Sequence, residues 1–273
     1  MRIYISVDIE GVAGVVHVQQ GSPGNADYEA ARRLMLAEAN AAIAGAFAGG
    51  ATAVVVSDSH GPMINLLPDE LDPRAELILG RPRPVTMVAG IEAGFAGLMM
   101  VGYHAGACRP GILAHTFSGA PVFRRVSVNG IELNEAALYG AHAGALGVPV
   151  ILLSGDDRLA ADARGYFPDA EIVTVKRALG NRSARSLSPA EARRRIAAAA
   201  ETAVRRAGSI RPFVIPPPLR LEVVLGQPIV GDAIGAVPGV TRLDATTVTM
   251  AVADMAEATA WIATIADLAK ANL

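Results

Sequence analysis

Cysteine, net charge and long apolar runs are all scarce in this chain of 273 residues. The single cysteine, Cys108, has no second cysteine with which to form an internal disulfide, and this favours a reducing compartment. A net charge of −2 argues against the broad positive surface of a nucleic-acid-binding protein. The apolar content of 52% is too high for a disordered chain, and a sequence of this length can bury a core without a structural metal.

No segment of the sequence predicts passage through a membrane. Asp8 and Glu10 interrupt the apolar stretch at the N-terminus, which excludes the uncharged core of a signal peptide. The longest apolar stretch, residues 39–56, is rich in alanine and is broken by Gly49 and Gly50, so it is shorter in effect than a membrane span. We therefore expect a cytoplasmic protein.

Short segments rich in valine and isoleucine alternate with longer segments rich in alanine and leucine, and this alternation predicts strands followed by helices. The strands predicted in the first part are 2–7, 53–57, 98–103, 114–118, 122–128 and 148–153, with a turn at 119–121 and helices at 27–48 and 135–146. The predicted fold class is α/β, a mostly parallel sheet flanked by helices with a second, smaller α+β domain.

The pattern of the sequence changes after Gly155. We predict a metal-binding catalytic α/β domain over residues 1–157 and a second α+β domain, for scaffolding or assembly, over 158–273. The second part carries none of the five histidines. Its predicted elements are strands at 172–176, 219–225 and 240–253, a helix from the Ser188–Pro189 cap to about 206, and a helix at 255–271.

Polar side chains follow three consecutive predicted strands. Asp8 and Glu10 end the first strand, Asp58 and His60 end the second, and His104 ends the third. Ligands of open α/β sheets bind beyond the carboxyl ends of the strands, so these side chains are expected at one functional edge. Carboxylates and imidazoles without a thiolate suit a divalent ion such as zinc, manganese or cobalt. Each residue alone could equally cap a loop, but their recurrence at three strand ends favours a metal site.

The remaining histidines and acidic residues leave alternatives open. His115 is either a histidine of the core or surface or a proton carrier near the metal. Glu135 opens a predicted helix, where its charge also complements the helix dipole. His142 lies ~10.5 Å further along that helix and cannot share an ion with Glu135. We expect His17 to be incidental and the acidic pair at 156–157 to cap a loop or helix.

Four segments in order resemble the DppA-type zinc-dependent D-aminopeptidase family. They are Ser6-Val7-Asp8-Ile9-Glu10-Gly11, Ser57-Asp58-Ser59-His60, Gly102-Tyr103-His104-Ala105 and Ser154-Gly155-Asp156-Asp157. The similarity extends over essentially the whole chain. Motifs of phosphate-binding loops, serine-hydrolase elbows and HExxH metalloproteases are missing from the sequence.

The resemblance implies two zinc ions per subunit, for which manganese or cobalt could substitute. Asp8 would bridge the ions, Glu10 and His60 would complete one ligand set, and His104 and Glu135 would complete the other.

The resemblance also implies that His115 is the catalytic histidine and that the subunits form a ring-like homodecamer. Glu132 is the alternative to Glu135, because the residue before Glu135 is Asn134 rather than the glycine of the family.

The expected function is therefore hydrolysis of N-terminal D-amino acids, of the D-Ala type, from short peptides by metal-activated water. One alternative is a two-metal hydrolase of a phosphoester or another amide, against which stands the lack of arginine in the four motif segments. The other alternative is a non-enzymatic ring-forming assembly protein with a degenerate site, which the charged fraction of only 18% would fit.

Overall fold

Twelve strands and six α-helices are found in the residues that the computed structural model describes, 1–118 and 122–273. The turn predicted at 119–121 lies outside these residues. The strands are β1 Arg2–Val7, β2 Ala53–Asp58, β3 Ala75–Ile78, β4 Phe95–Tyr103, β5 Phe123–Val128, β6 Ile131–Glu132, β7 Val150–Asp156, β8 Glu171–Gly180, β9 Ser183–Ser186, β10 Leu219–Leu225, β11 Thr241–Arg242 and β12 Thr247–Val252. The helices are α1 Tyr28–Ala48, α2 Glu135–Ala145, α3 Asp157–Tyr166, α4 Pro189–Arg206, α5 Pro228–Gly235 and α6 Met255–Asn272.

The larger sheet has seven strands in the order β3-β2-β1-β4-β7-β8-β9, and all except β9 run parallel. After β1 the chain builds the sheet outward through β2 and β3, then returns to place β4 on the other side of β1. The carboxyl ends of β1 and β4 therefore border the point at which the strand order reverses. Open α/β sheets bind their ligands in the crevice at such a point.

Two apolar clusters cover the two faces of this sheet. Ile3 and Ile5 of β1 belong to one cluster, with α1 and α4, whereas Tyr4 belongs to the other, with α2, α3 and α6. Because both faces are covered, the central strands are apolar throughout rather than alternating. The prediction of an α/β fold with a mostly parallel sheet flanked by helices is confirmed.

The smaller sheet is antiparallel, with five strands in the order β11-β12-β10-β5-β6. Its strands β5 and β6 precede residue 157, while β8 and β9 of the larger sheet follow it. Each sheet thus draws strands from both sides of the boundary that the sequence suggests. The division into domains 1–157 and 158–273 stays a prediction.

The strand predicted at 114–118 is wrong, because only an isolated bridge between Thr116 and Ser118 forms there. Leu113 and Phe117 have φ angles of 50° and 65°, and such left-handed conformations interrupt an extended backbone. The strand predicted at 240–253 is divided by a turn into β11 and β12. The helix start at Ser188 is confirmed, since its side chain accepts a hydrogen bond from the N–H of Glu191.

None of the helices in residues 1–118 and 122–273 combines the length and the apolar content needed to cross a membrane.

Close contact between α1 and α4 depends on glycine. A Cβ atom on Gly45 would lie 2.2 Å from the carbonyl oxygen of Ala197, far inside van der Waals contact, and one on Gly49 would lie 2.7 Å from the carbonyl oxygen of Glu201. We predict that Gly45→Ala lowers the free energy of unfolding by about 1–3 kcal/mol, since the two helices must separate.

The matched control for this substitution is Gly165→Ala. Gly165 is an exposed residue of α3 with open space around its Cα, so alanine there is expected to be neutral or stabilising by about 0.5–1 kcal/mol. Urea unfolding of both variants measures the difference. Equal stabilities would show that the helix contact does not require glycine.

Candidate metal centre

Five side chains from the ends of three parallel strands and the start of a helix converge at the carboxyl edge of the larger sheet. Asp8 and Glu10 follow β1, His60 follows β2, His104 follows β4, and Glu135 is the first residue of α2. Four of the five are less than 9% exposed, and His60 is half-buried. The five side chains that the sequence singled out as candidate ligands therefore lie together at this edge.

The two carboxylate oxygens of Asp8 face two different histidines. Oδ1 is 3.2 Å from His60 Nδ1, and Oδ2 is 3.5 Å from His104 Nε2. Glu10 Oε2 lies 3.0 Å from His60 Nδ1 on the first side, and Glu135 Oε2 lies 3.7 Å from His104 Nε2 on the second. Asp8 is thus common to two groups of possible ligands, each with its donor atoms within 4.8 Å of one another.

Backbone carbonyls orient both imidazoles. His104 Nδ1 is 2.9 Å from the carbonyl oxygen of Ala105, and His60 Nε2 is 2.7 Å from that of Gly21. A carbonyl can only accept, so each of these ring nitrogens carries the proton and the other nitrogen of each ring faces the carboxylates. This arrangement is the one that directs a metal-binding histidine.

Two buried polar atoms in the cluster have no hydrogen-bond partner within the described part of the chain. They are Glu10 Oε2 and His104 Nε2. Buried polar atoms rarely lack a hydrogen-bond partner, and one explanation for such atoms is that they bind an ion. The residues present therefore fit a pair of divalent cations.

The carboxylates of the cluster raise the pKa values of its two histidines. Burial would lower the pKa of His104, but the Glu135 charge and its other acidic neighbours raise it to about 10. Burial would likewise lower the pKa of His60, but Glu10 and Asp8 raise it well above its usual value. Without a metal, the positive charge that balances these carboxylates is therefore held as protons on the imidazoles.

His115 stands beside this cluster. Its ring stacks on that of His104 with 4.2 Å between centroids, and its Nε2 is 3.8 Å from Glu135 Oε1. Its Nδ1 is 2.8 Å from the carbonyl oxygen of Leu113, so Nε2 is the nitrogen that faces the site. Glu10, His104 and His115 also form a third group of possible ligands.

A family model described as peptidase M55, D-aminopeptidase, matches residues 1–264 of the chain. The chain belongs to this family. A curated D-aminopeptidase of Bacillus subtilis (strain 168) is 35% identical in an alignment of 264 residues that covers 94% of this chain and 94% of the relative. The solved structure of the Zn-dependent D-aminopeptidase DppA from Bacillus subtilis, described as a self-compartmentalizing protease, is 32% identical with a TM-score of 0.96 and covers 99% of this chain and 98% of its own.

Membership of the M55 family confirms the resemblance that the four sequence segments suggested. It also confirms that the chain is an enzyme, a peptidase of the hydrolase class.

Among the described residues, the other histidines and acidic residues that the sequence singled out do not belong to the ligand groups. His17 accepts a hydrogen bond from the N–H of Gln19 as the cap of a short 3-10 helix, Val18–Gly21, and His142 is buried in α2. Asp156 caps α3, as expected for a strand-end acidic residue. Glu132, the alternative to Glu135, forms an exposed ion pair with Arg109.

A cavity of about 410 Å³ opens above the cluster in this M55 chain. The sequence did not predict some of the residues that line it. Asn181 and Arg182 of the β8–β9 turn and Ala266 of α6 line it, although they follow residue 157. No local pattern marks these residues, because only the packing of α6 and the hairpin brings them to the cavity.

Asp58 ends β2 but does not join the ligand groups. Its carboxylate accepts hydrogen bonds from the N–H groups of Asn65 (2.5 Å) and Leu66 (2.6 Å) and from the Asn65 side chain (2.7 Å). It therefore fixes the loop that carries His60.

We predict that Asp58→Asn lowers the free energy of unfolding by about 2 kcal/mol, because an amide group cannot accept from all three donors. Asp69→Asn, at an exposed position of the 3-10 helix Pro68–Glu70, is the matched control and should change stability by less than about 0.5 kcal/mol. Chemical unfolding of both variants decides the matter. A wild-type stability for Asp58→Asn would contradict the role given to this carboxylate.

Proposed function

We propose that the chain is a binuclear zinc D-aminopeptidase that removes N-terminal D-amino acids, of the D-Ala type, from short peptides. The observation that carries the proposal is the Asp8 carboxylate, whose two oxygens face two separate groups of nitrogen and oxygen ligands. Membership of the M55 family and the zinc dependence of DppA support both the metal and the D-specific substrate.

In this proposal Asp8, Glu10 and His60 would hold one zinc ion, and Asp8, His104 and Glu135 would hold the other. A bound pair of divalent ions would supply Lewis acidity and an activated water at this point. The chain itself orients the ligands: backbone carbonyls fix both imidazoles, and the Phe117 N–H donates to Glu135 Oε1.

His115 is proposed as the proton carrier. Its Nδ1–H donates to the carbonyl oxygen of Leu113, so Nε2 is free to take up a proton and deliver it to the leaving amine or to the developing oxyanion. The stack on His104 and the carboxylate of Glu135 hold the ring at the floor of the cavity.

The function is tested with purified protein on matched D-alanyl and L-alanyl peptides, beside p-nitrophenyl phosphate. We expect hydrolysis of the D-peptides with two zinc equivalents bound per chain, and loss of activity on removal of the metal by a chelator. Preference for L-peptides or for the phosphate ester would overturn the proposed substrate. A folded protein without stoichiometric metal or hydrolysis would favour an assembly protein instead.

His115→Gln is predicted to lower kcat by a factor of about 10²–10⁴, the usual contribution of a positioned acid–base group. Zinc content should remain unchanged, because His115 is not needed for either proposed ligand set. His17→Gln is the control and is expected to retain turnover within a few-fold. Turnover of His115→Gln close to that of the wild type would remove His115 from the chemistry.

Zinc binding is predicted to release protons at pH 8. His104 has a pKa of about 10 in the metal-free site, so it is protonated at this pH, whereas a zinc ligand must have a bare nitrogen. Apparent zinc affinity should therefore weaken steadily as the pH falls below about 10. Calorimetry in buffers of different ionisation enthalpy counts the protons, and a binding enthalpy that does not depend on the buffer would contradict this prediction.

We further propose a cytoplasmic, ring-like homodecamer in which manganese or cobalt can replace zinc. The description of DppA as self-compartmentalizing supports assembly into a closed particle. Sedimentation or native mass spectrometry measures the number of subunits. We expect ten, and a monomer would contradict the proposal.

A further inference from the structure

Lys176 of β8 is buried against the loop that carries Glu10, with only 1% of its surface exposed. Its ammonium group donates three hydrogen bonds, one for each of its protons, to main-chain carbonyl oxygens. The acceptors are those of Glu10 (2.5 Å), Val12 (2.9 Å) and Val15 (2.5 Å). All three belong to the loop that follows β1 and carries Glu10.

No carboxylate lies within 4.0 Å of the Lys176 ammonium among the ion pairs of the described residues. A buried charge without a close ion pair is costly to desolvate, and burial lowers the pKa of Lys176 to about 8. The three carbonyl dipoles therefore supply most of its solvation. Such an arrangement would be costly if the group had only to fill space.

Hydrogen bonds from α1 and β4 also hold this loop. Glu38 of α1 accepts a hydrogen bond from the Ala13 N–H at 2.9 Å. The Gly11 N–H donates to the carbonyl oxygen of Gly102 at 2.7 Å, and a Cβ atom on Gly11 would lie 1.9 Å from the carbonyl oxygen of Tyr103. The backbone at Glu10 is thus fixed between β4 on one side and Lys176 on the other.

We propose that Lys176 is a positioning residue for the metal centre: by binding the carbonyls of the 10–15 loop it presents the Glu10 carboxylate to the ligand set of Asp8 and His60. The inference rests on the proposed metal sites. It predicts an effect on one of the two zinc ions, because His104 and Glu135 lie at the end of β4 and the start of α2 rather than in the 10–15 loop.

The test compares zinc affinities of folded wild type, Lys176→Met and Val175→Ala by competition with a chromophoric chelator. We expect Lys176→Met to bind one zinc equivalent 10–100-fold more weakly and the other unchanged, as for partners that orient metal ligands. Val175, buried on the same strand, is the control: its truncation should lower the urea midpoint but leave both affinities intact. Wild-type affinities in Lys176→Met would overturn the proposal.

Chemical rescue separates positioning from simple loss of stability. In Lys176→Ala, added propylammonium can enter the vacated space and donate to the carbonyls, so it should restore much of the lost affinity. Tetramethylammonium, which has no N–H, should not. Failure of propylammonium to restore any affinity would count against the proposal.

Should Lys176→Met not fold, Lys176→Gln replaces it, since its amide keeps two donors and is expected to show a smaller loss at the same single site. Wild-type affinities in Lys176→Gln would then overturn the inference. If the wild type binds two zinc ions but hydrolyses no D-peptide, the proposed function fails while the inference about Lys176 stands.

Discussion

The Asp8 carboxylate between two imidazoles is the interaction on which the site depends. Three acidic side chains less than 9% exposed would repel one another at the end of a sheet unless positive charge lay between them. Without metal that charge is carried by protonated His60 and His104, and a pair of divalent cations would replace it. The raised pKa of His104, about 10, indicates that the site requires cationic charge. The two buried atoms without a hydrogen-bond partner, Glu10 Oε2 and His104 Nε2, indicate the same.

The rest of the fold keeps these groups in place. The reversal of strand order at β1 and β4 opens the crevice. Because apolar clusters cover both faces of the sheet, the polar groups of the site lie at its carboxyl edge. The second half of the chain also contributes, because β8 supplies Lys176, while the β8–β9 turn and α6 line the cavity. Residues 158–273 therefore contribute side chains to the cavity and to the loop that carries Glu10.

Local patterns predicted most of the central strands and the polar residues at their ends, because these residues follow each apolar run within a few positions. Glu135 required the family resemblance, since its position at a helix start has an ordinary explanation in the helix dipole. Lys176 carries no signal at all, being one of two lysines in the sequence and set within an apolar strand. The false strand at 114–118 arose because left-handed backbone at Leu113 and Phe117 is invisible in residue types.

The most direct test of a shared carboxylate is crystallographic. Anomalous diffraction measured on both sides of the zinc absorption edge would locate the ions independently of any assay. Two anomalous peaks flanking the Asp8 carboxylate, one beside His60 and one beside His104, are expected, with a separation of about 3.5–4 Å. A single peak, or two peaks of which neither contacts Asp8, would contradict the account.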